Sequence, residues 1–284
     1  MTYPFQLVDV FGDGPFTGNP VAVVAGAADL DTAVMQQITR WLNLSETTFL
    51  APPKDPRADY AVRIFSLTRE LPFAGHPTLG TTHAWLVAGG EPKHPEMIIQ
   101  ECAAGLVRVR RSGSRLAFAA PSVVRFGAVE PAKLAEIVGV LGISREAIVD
   151  AQWVDNGPGW VAVKLGSAEA VLALDPARSH PQTLDLGVVG AYPAGHEAAF
   201  EIRAFFTDPH GALVEDPVCG SLNASVAQWL IASGEAHAPY VVSQGARLDR
   251  KGRIHIDHDA AGDVWVGGET ASLFSGVCAA SLGV

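Results

Sequence analysis

Val62-Arg63-Ile64-Phe65-Ser66 leads, after a loop, into Phe73-Ala74-Gly75-His76-Pro77 and then a helix-like run containing Trp85-Leu86-Val87. The same elements recur in order as Ile202-Arg203-Ala204-Phe205-Phe206, then Val218-Cys219-Gly220-Ser221, then Trp229-Leu230-Ile231. Chance accounts for one shared dipeptide, but poorly for an ordered set of strand, loop, Gly-containing turn and helix. A duplicated domain is the preferred reading. Mixed strands with single helices in each half favour an α+β fold over a parallel βαβ array.

Outward from that pair, the chain alternates short apolar segments with few helices. Phe5–Phe11 and Val21–Ala25 read as strands about a Gly/Asp/Pro turn. Asp29-Leu30-Asp31 supplies N-cap candidates for a helix to about Leu42, with Val34, Ile38, Trp41 and Leu42 on one face. Glu46–Leu50 and Ala61–Ser66 follow as strands, and Gly75–Val87 reads as a helix despite Gly80. Pro95–Glu101, Leu106–Arg110 and Leu116–Ala119 are strand-like. The pattern restarts around Pro121–Pro131 with a helix Pro131–Leu141, Pro in its first turn and Gly142 past its end. Strands near Gly159–Lys164, Gly187–Ala191, Phe200–Phe206, Tyr240–Val242, Ile254–Ile256 and Asp263–Gly267 complete the second half. The expected domains are residues 1–122 and 123–270, with a closing strand near 271–284 returning to the first.

The 284 residues suit about two domains, and 48% hydrophobic with 18% charged is ordinary globular composition. Cys102, Cys219 and Cys278 form no C-x-x-C pair and leave one thiol over in any disulfide scheme, which fits a reducing compartment. Met1–Gln6 carries no Lys or Arg ahead of an apolar run, and no uninterrupted apolar stretch reaches about 18 residues. The expectation is a cytoplasmic protein without a membrane partner. A formal charge of -10 argues against a nucleic-acid partner, while leaving room for a small anionic substrate at a locally positive site.

Each repeat sets a Gly beside a small or polar residue where a helix starts. Such a position presents unpaired backbone N–H groups and the positive end of the helix dipole, a cradle for a carboxylate or developing oxyanion. The plainer reading is that Gly75 and Gly220 only permit tight turns. As a matched pair flanked by His76, Asp216 and Ser221, they favour a site. Glu46, in Leu44-Ser45-Glu46-Thr47, is either a solvated strand-end residue or a carboxylate entering a cleft, its pKa raised by desolvation towards a proton-transfer role. His76 either satisfies backbone groups in its turn or donates to substrate. Asp216, before Pro217, either shapes a turn or orients a substrate amine or hydroxyl. Cys219 sits where a helix dipole lowers a thiol pKa, yet no sequence-local His/Asn partner accompanies it, and a buried inert thiol remains the plainer role. Gly12-Asp13-Gly14-Pro15-Phe16-Thr17-Gly18 lacks dinucleotide-binding spacing and leads into a strand, so it reads as a loop. His255 and His258 fall on opposite faces of a strand, and no further ligand group at metal spacing accompanies them.

At these residues the chain resembles the PhzF-like (phenazine-biosynthesis F) isomerase family, related in fold to diaminopimelate epimerase and proline racemase. The resemblance is carried by Val8-Asp9-Val10-Phe11, Pro15-Phe16-Thr17-Gly18-Asn19-Pro20, Leu44-Ser45-Glu46-Thr47, and Glu70-Leu71-Pro72-Phe73-Ala74-Gly75-His76-Pro77-Thr78-Leu79-Gly80. Glu215-Asp216-Pro217-Val218-Cys219-Gly220-Ser221 and Val264-Trp265-Val266-Gly267-Gly268 complete it. It implies two pseudo-symmetric domains, each a mixed β-sheet or barrel wrapped around a central α-helix, with the active site between them. It also implies a homodimer and no metal or organic cofactor. The family's catalytic glutamate falls on Glu46, and its substrate-contacting His, Asp and Ser fall on His76, Asp216 and Ser221. Gly75 and Gly220 match backbone positions near the substrate carboxylate, and Asn19 joins the substrate-binding set. Relatives with two catalytic cysteines carry one thiol at each helix start. Here the second slot holds Cys219 and the first Ala74, which disfavours a two-thiol racemase. A Glu46-dependent isomerase moving a proton within a small carboxylate-bearing substrate is the leading expectation. An amino-acid epimerase using Cys219 and a non-catalytic binder of small carboxylates are the alternatives.

Overall fold

A computed structural model describes residues 2–279 of the chain, which divide into two units: residues 2–119 with 267–279, and Ala120–Val266. The first unit runs β1 (Thr2–Val10), β2 (Asn19–Val24), α1 (Thr32–Leu42), β3 (Glu46–Ala51), β4 (Tyr60–Ser66), β5 (Glu70–Leu71), α2 (Gly75–Val87), β6 (Met97–Cys102), β7 (Gly105–Ser112) and β8 (Arg115–Ala119). The second runs β9 (Arg125–Ala128), α3 (Pro131–Leu141), β10 (Ile148–Asp155), β11 (Val161–Leu165), α4 (Ala168–Ala173), β12 (Asp185–Ala191), β13 (Phe200–Thr207), β14 (Leu213–Asp216), α5 (Gly220–Ala232), β15 (Tyr240–Gln244), β16 (Gly252–His258) and β17 (Val264–Gly268). The last strand, β18 (Thr270–Ala279), pairs antiparallel with β1 in the first unit; residues 280–284 of the expected closing strand lie outside the described residues.

The first unit pairs β1 with β2 antiparallel, β2 with β3 parallel, β3 with β4 antiparallel, β4 with β6 parallel, and β6 with β7 antiparallel. The second repeats this sequence of directions as β10/β11, β11/β12, β12/β13, β13/β15 and β15/β16. Short β5 adds to β4 just as β14 adds to β13. Each unit is therefore α+β with one copy of the repeated topology.

Within the first unit α2 packs against β1, β2, β3, β8 and β18. All its residues from Gly75 to Thr82, and Ala84, are buried, so it has no solvent face. Its threonines bring hydroxyls into this core, and partners meet them. Thr82 Oγ1 donates to the Thr78 carbonyl at 2.8 Å, and Gln100 Nε2 donates to Thr78 Oγ1 at 2.9 Å. Thr81 Oγ1 donates to Thr48 Oγ1 at 2.8 Å. Gly80 is required by close approach, since a Cβ there would lie 2.2 Å from Val21 Cγ1. In the second unit α5 packs against β10 and β16 and is likewise buried along most of its length.

The outer helices cover the sheets. Asp31 caps α1, its carboxylate accepting from the Val34 amide at 2.8 Å, and Asn43 closes it in the left-handed region. The face that α1 buries holds Met35 and Thr39, packed over Tyr3, Phe49 and Phe65. The expected stripe through Trp41 is corrected, because Trp41 is 83% exposed. Ile38 joins this core only in part. In the second unit, Leu134, Ile137 and Leu141 of α3 and Val171 of α4 cover Val161, Val163 and Val188. Strands β9, β10 and β14 and helix α4 have no counterpart in the sequence reading. Among the described residues, no helix is long and apolar enough to cross a membrane.

Candidate active site

In the first unit the site is built by the start of β3, the start of α2 and the loop between β1 and β2. Glu46 opens β3, opposite Ser66. His76 is the second residue of α2 and is only 4% exposed. Its Nε2 lies 3.4 Å from Glu46 Oε2. Burial pulls the ring pKa down to about 3, opposed in part by a hydrogen bond with the Pro20 backbone. Proline offers only its carbonyl, so the ring donates and the carbonyl accepts. A neutral imidazole has one N–H. That proton is engaged by Pro20, and Nε2 presents a lone pair to Glu46. Of the two roles open to His76, satisfying a backbone group is met through Pro20, and its Nε2 lies beside Glu46.

The β1–β2 loop that leads into Pro20 on β2 is held by Asp9. The Asp9 carboxylate, 5% exposed, accepts from the Thr17 amide at 3.1 Å and the Gly18 amide at 3.0 Å. Phe11 and Phe16 sit at φ 67° and 65°, a left-handed conformation that bulky residues rarely adopt and that surrounding structure must enforce. Asn19, 1% exposed, opens β2 immediately before Pro20. At the start of α2 the helical ladder begins with the Thr78 amide donating to the Ala74 carbonyl, and Pro77 has no N–H. The amides of Gly75 and His76 thus have no intrahelical acceptor.

In the second unit, Asp216, Cys219, Gly220 and Ser221 lie on one turn from the end of β14 into α5. Gln244 stitches that turn. Its Oε1 accepts from the Cys219 amide at 3.1 Å and from Asn223 Nδ2 at 2.8 Å, while its Nε2 donates to the Asp216 carbonyl at 3.1 Å. Cys219 is the N-cap residue of α5, 5% exposed, with Sγ 3.4 Å from Ser221 Oγ. The β10–β11 loop grips Ser221 twice: Trp160 Nε1 donates to Ser221 Oγ at 3.0 Å, and Asn156 Nδ2 donates to its carbonyl at 2.8 Å. Asp155 holds this loop, accepting from the Gly157 and Gly159 amides, each at 2.7 Å.

Strand register puts the two halves into residue-by-residue correspondence. Phe65 pairs with Glu70, and Phe205 with Glu215. Glu46 pairs with Ser66, and Asp185 with Phe206, so Asp185 occupies the topological place of Glu46. Leu7 pairs with Ala22, and Trp153 with Val161, which matches Asp9 to Asp155, the two loop-holding carboxylates. Running on from Glu70 and Glu215, Leu71 corresponds to Asp216, Ala74 to Cys219, Gly75 to Gly220 and His76 to Ser221.

This arrangement of helix starts and braced loops has known relatives. The family model described as phenazine biosynthesis-like protein (PhzC-PhzF) matches residues 8–276. The chain belongs to this PhzF family. It is 35% identical to antisense-enhancing sequence 1 of Schizosaccharomyces pombe, over 96% of this chain and 98% of the relative. It is 32% identical to the trans-2,3-dihydro-3-hydroxyanthranilate isomerase of Pseudomonas fluorescens, over 87% of each chain. The crystal structure of a PhzF-family protein from Enterococcus faecalis superposes with a TM-score of 0.78 at 25% identity, covering 99% of this chain and all of that one. The PhzF-like chain is an enzyme, an isomerase of this family.

Sequence reasoning missed the scaffold of the PhzF-like site: Pro20 as the acceptor for His76, Gln244 and Asn223 beneath Cys219, and Asn156 and Trp160 around Ser221. The signal that reaches the last two is the repeat itself, because aligning Val154-Asp155 on Val8-Asp9 marks the following loop as the counterpart of the Gly12–Gly18 loop. Gln244 gave no such signal. Among the described residues, no group of three or more His, Cys, Asp or Glu side chains is arranged to hold a metal ion.

Proposed function

We propose that this PhzF-family isomerase moves a proton within a small, carboxylate-bearing, amino acid-like or dihydroanthranilate-like substrate, without a cofactor, and that Glu46 carries the proton. The observation that supports this most directly is the 3.4 Å approach of Glu46 Oε2 to His76 Nε2, where the ring is kept neutral by burial and its lone pair faces the carboxylate. Glu46 abstracts a proton from a substrate carbon. While Oε2 holds it, the acceptor nitrogen of His76 provides a hydrogen bond to the acid form. Glu46 then returns the proton to a different carbon. His76 takes no net proton, because its ring resists protonation and its own N–H is committed to Pro20. The helix-start amides at Gly75 and Gly220, with Ser221, bind the substrate carboxylate, and Asp216 and Asn19 orient its polar substituents. The same reading expects a cytoplasmic homodimer, which sedimentation and cell fractionation test.

General acid–base catalysis by a positioned carboxylate is worth about 100- to 10,000-fold. Glu46→Gln is expected to lower turnover by that order, and to remove deuterium uptake from heavy water into the substrate, while the circular dichroism spectrum is retained. A fully active Glu46→Gln enzyme takes Glu46 out of the mechanism. The epimerase reading is supported by the place of Cys219 at a helix start, and is opposed by Ala74 at the corresponding place in the first unit. Exchange at an amino-acid Cα that disappears in Cys219→Ala would decide for it; unchanged exchange decides against it.

A further inference from the structure

The two side chains that correspond by strand register, His76 and Ser221, are held in opposite ways. In the first unit the Pro20 carbonyl, on β2, accepts the hydrogen bond of the His76 ring. In the second the loop donates: Trp160 Nε1 gives its hydrogen to Ser221 Oγ at 3.0 Å. An indole N–H can only donate, so it occupies a lone pair of the hydroxyl and leaves the Ser221 O–H free to rotate towards another acceptor. Asn156 fixes the Ser221 backbone through its carbonyl at 2.8 Å, so the hydroxyl is held at both its backbone and its oxygen. Trp160 is itself held, being 4% exposed and continuous with the loop that Asp155 braces through two amides. The neighbour that can receive the Ser221 hydrogen is Cys219 Sγ at 3.4 Å, and sulfur is a weak acceptor that an anionic oxygen readily outcompetes.

We infer that Trp160 is a positioning residue that sets Ser221 as a hydrogen-bond donor to the carboxylate of the substrate. The inference rests on the reading of Ser221 as a substrate-binding residue and deepens it. Ser221, with the Gly220 turn, then supplies the donors of the second unit. Without the indole N–H, the Ser221 oxygen is open to accept from other donors, and its hydrogen is no longer reserved for an anion.

The test is a double-mutant cycle on the full-length chain, read by calorimetric titration with 3-hydroxyanthranilate as the carboxylate probe. The variants are Trp160→Phe, Ser221→Ala and the pair together. One oriented hydrogen bond is worth roughly a three- to tenfold change in binding. Trp160→Phe is expected to weaken probe binding by about that factor and to weaken it no further once Ser221 is alanine. A purely structural role gives the same fractional loss in both backgrounds, and that outcome overturns the inference. Equal probe binding by wild type and Ser221→Ala overturns the parent reading of Ser221, and the inference with it. A second measurement does not depend on how well Trp160→Phe folds. In ¹⁵N-tryptophan spectra of the Ser221→Ala protein, and of wild type titrated with the probe, the Trp160 indole N–H resonance is expected to shift. A resonance unmoved by both also overturns the inference.

Discussion

The duplicated Arg–Glu pair offers a comparison inside one molecule, because the same fork is built at two depths. Arg203 reaches Glu215 through Nε at 2.9 Å and Nη2 at 2.7 Å, with the side chains 4% and 11% exposed. Its Nη1 also donates to the carbonyls of Val171 at 3.2 Å and Leu174 at 2.8 Å, at the end of α4. Arg63 makes the same fork with Glu70, at 2.7 and 2.6 Å, but those side chains are 35% and 33% exposed. Replacing Arg203 with Met leaves the mostly buried Glu215 carboxylate and the Leu174 carbonyl without this donor, and the Val171 carbonyl with the Leu174 amide alone, a loss of about 3–5 kcal/mol. Arg63→Met leaves a carboxylate that water can reach, and costs about 1 kcal/mol. With a urea dependence of about 3 kcal/mol per molar, the midpoint falls by about 1–1.7 M in the first variant and about 0.3 M in the second. Arg203→Met combined with Glu215→Leu is expected to recover much of the loss, since the stranded charge is gone. Equal midpoint shifts for Arg203→Met and Arg63→Met would refute the claim that depth, rather than the fork itself, sets the cost.

Acid should destabilise the protein through its buried histidine. The folded ring of His76 has a pKa near 3 against an unfolded value of about 6.5, so between those pH values the unfolded chain binds a proton that the folded one does not. Stability is unaffected by this group above about pH 6.5 and falls by about 1.4 kcal/mol for each unit below it; urea midpoints from pH 7 to 5 should show a shallower fall in His76→Gln. Gly80→Ala gains about 1 kcal/mol of helix propensity but forces a Cβ to 2.2 Å from Val21 Cγ1, for a net loss of about 1–2 kcal/mol that Val21→Ala in the same chain relieves, as read by thermal melting. Gln244→Leu removes the Gln244 acceptor from the Cys219 amide and one of the two acceptors of Asn223 Nδ2, whose bond to the Cys219 carbonyl remains, and is expected to cost about 2–3 kcal/mol in urea unfolding, with protection against amide exchange lost first at Cys219.

Much of this architecture was legible because duplication writes each element twice. Val62–Ser66 and Ile202–Phe206 are central strands, and Gly75–Val87 and Gly220–Ala232 are buried helices, with Gly80 explained by close approach rather than weakness. What was not legible lacked a local signature. Strand β14 spans only Leu213–Asp216, too short to show alternation, and β10 interrupts its apolar positions with Asp150 and Gln152. Helix α1 illustrates a different limit. Its apolar residues defined a stripe through Trp41, but tertiary packing chose Met35 and Thr39, whose hydroxyl donates back to the Met35 carbonyl at 2.9 Å and so can be buried. Residue types alone made Glu46, His76, Asp216 and Ser221 candidates, whereas Pro20, Gln244 and Trp160, which bond His76, Asp216 and Ser221, sit in other strands and loops that sequence distance hides.

The comparison of the two halves separates what folding needs from what chemistry needs. The loop-holding Asp9 and Asp155, the forks Arg63–Glu70 and Arg203–Glu215, the rings of Phe65 and Phe205 beneath those guanidinium groups, and the helix-start Gly75 and Gly220 are the same residue types in both units. Each of these closes a strand, a loop or a turn, and a copied topology needs it in each copy. The positions around the helix starts have diverged: Glu46 against Asp185, Leu71 against Asp216, Ala74 against Cys219, His76 against Ser221. A symmetric racemase needs like groups on both sides, since each must serve as acid in one direction and base in the other. Glu46 and Asp185 remain the same chemical type, but an imidazole against a hydroxyl and a methyl against a thiol are not. On the function proposed above, abstraction and return by Glu46 needs no matching group in the second unit, which is why the other three pairs are free to differ on an otherwise preserved scaffold.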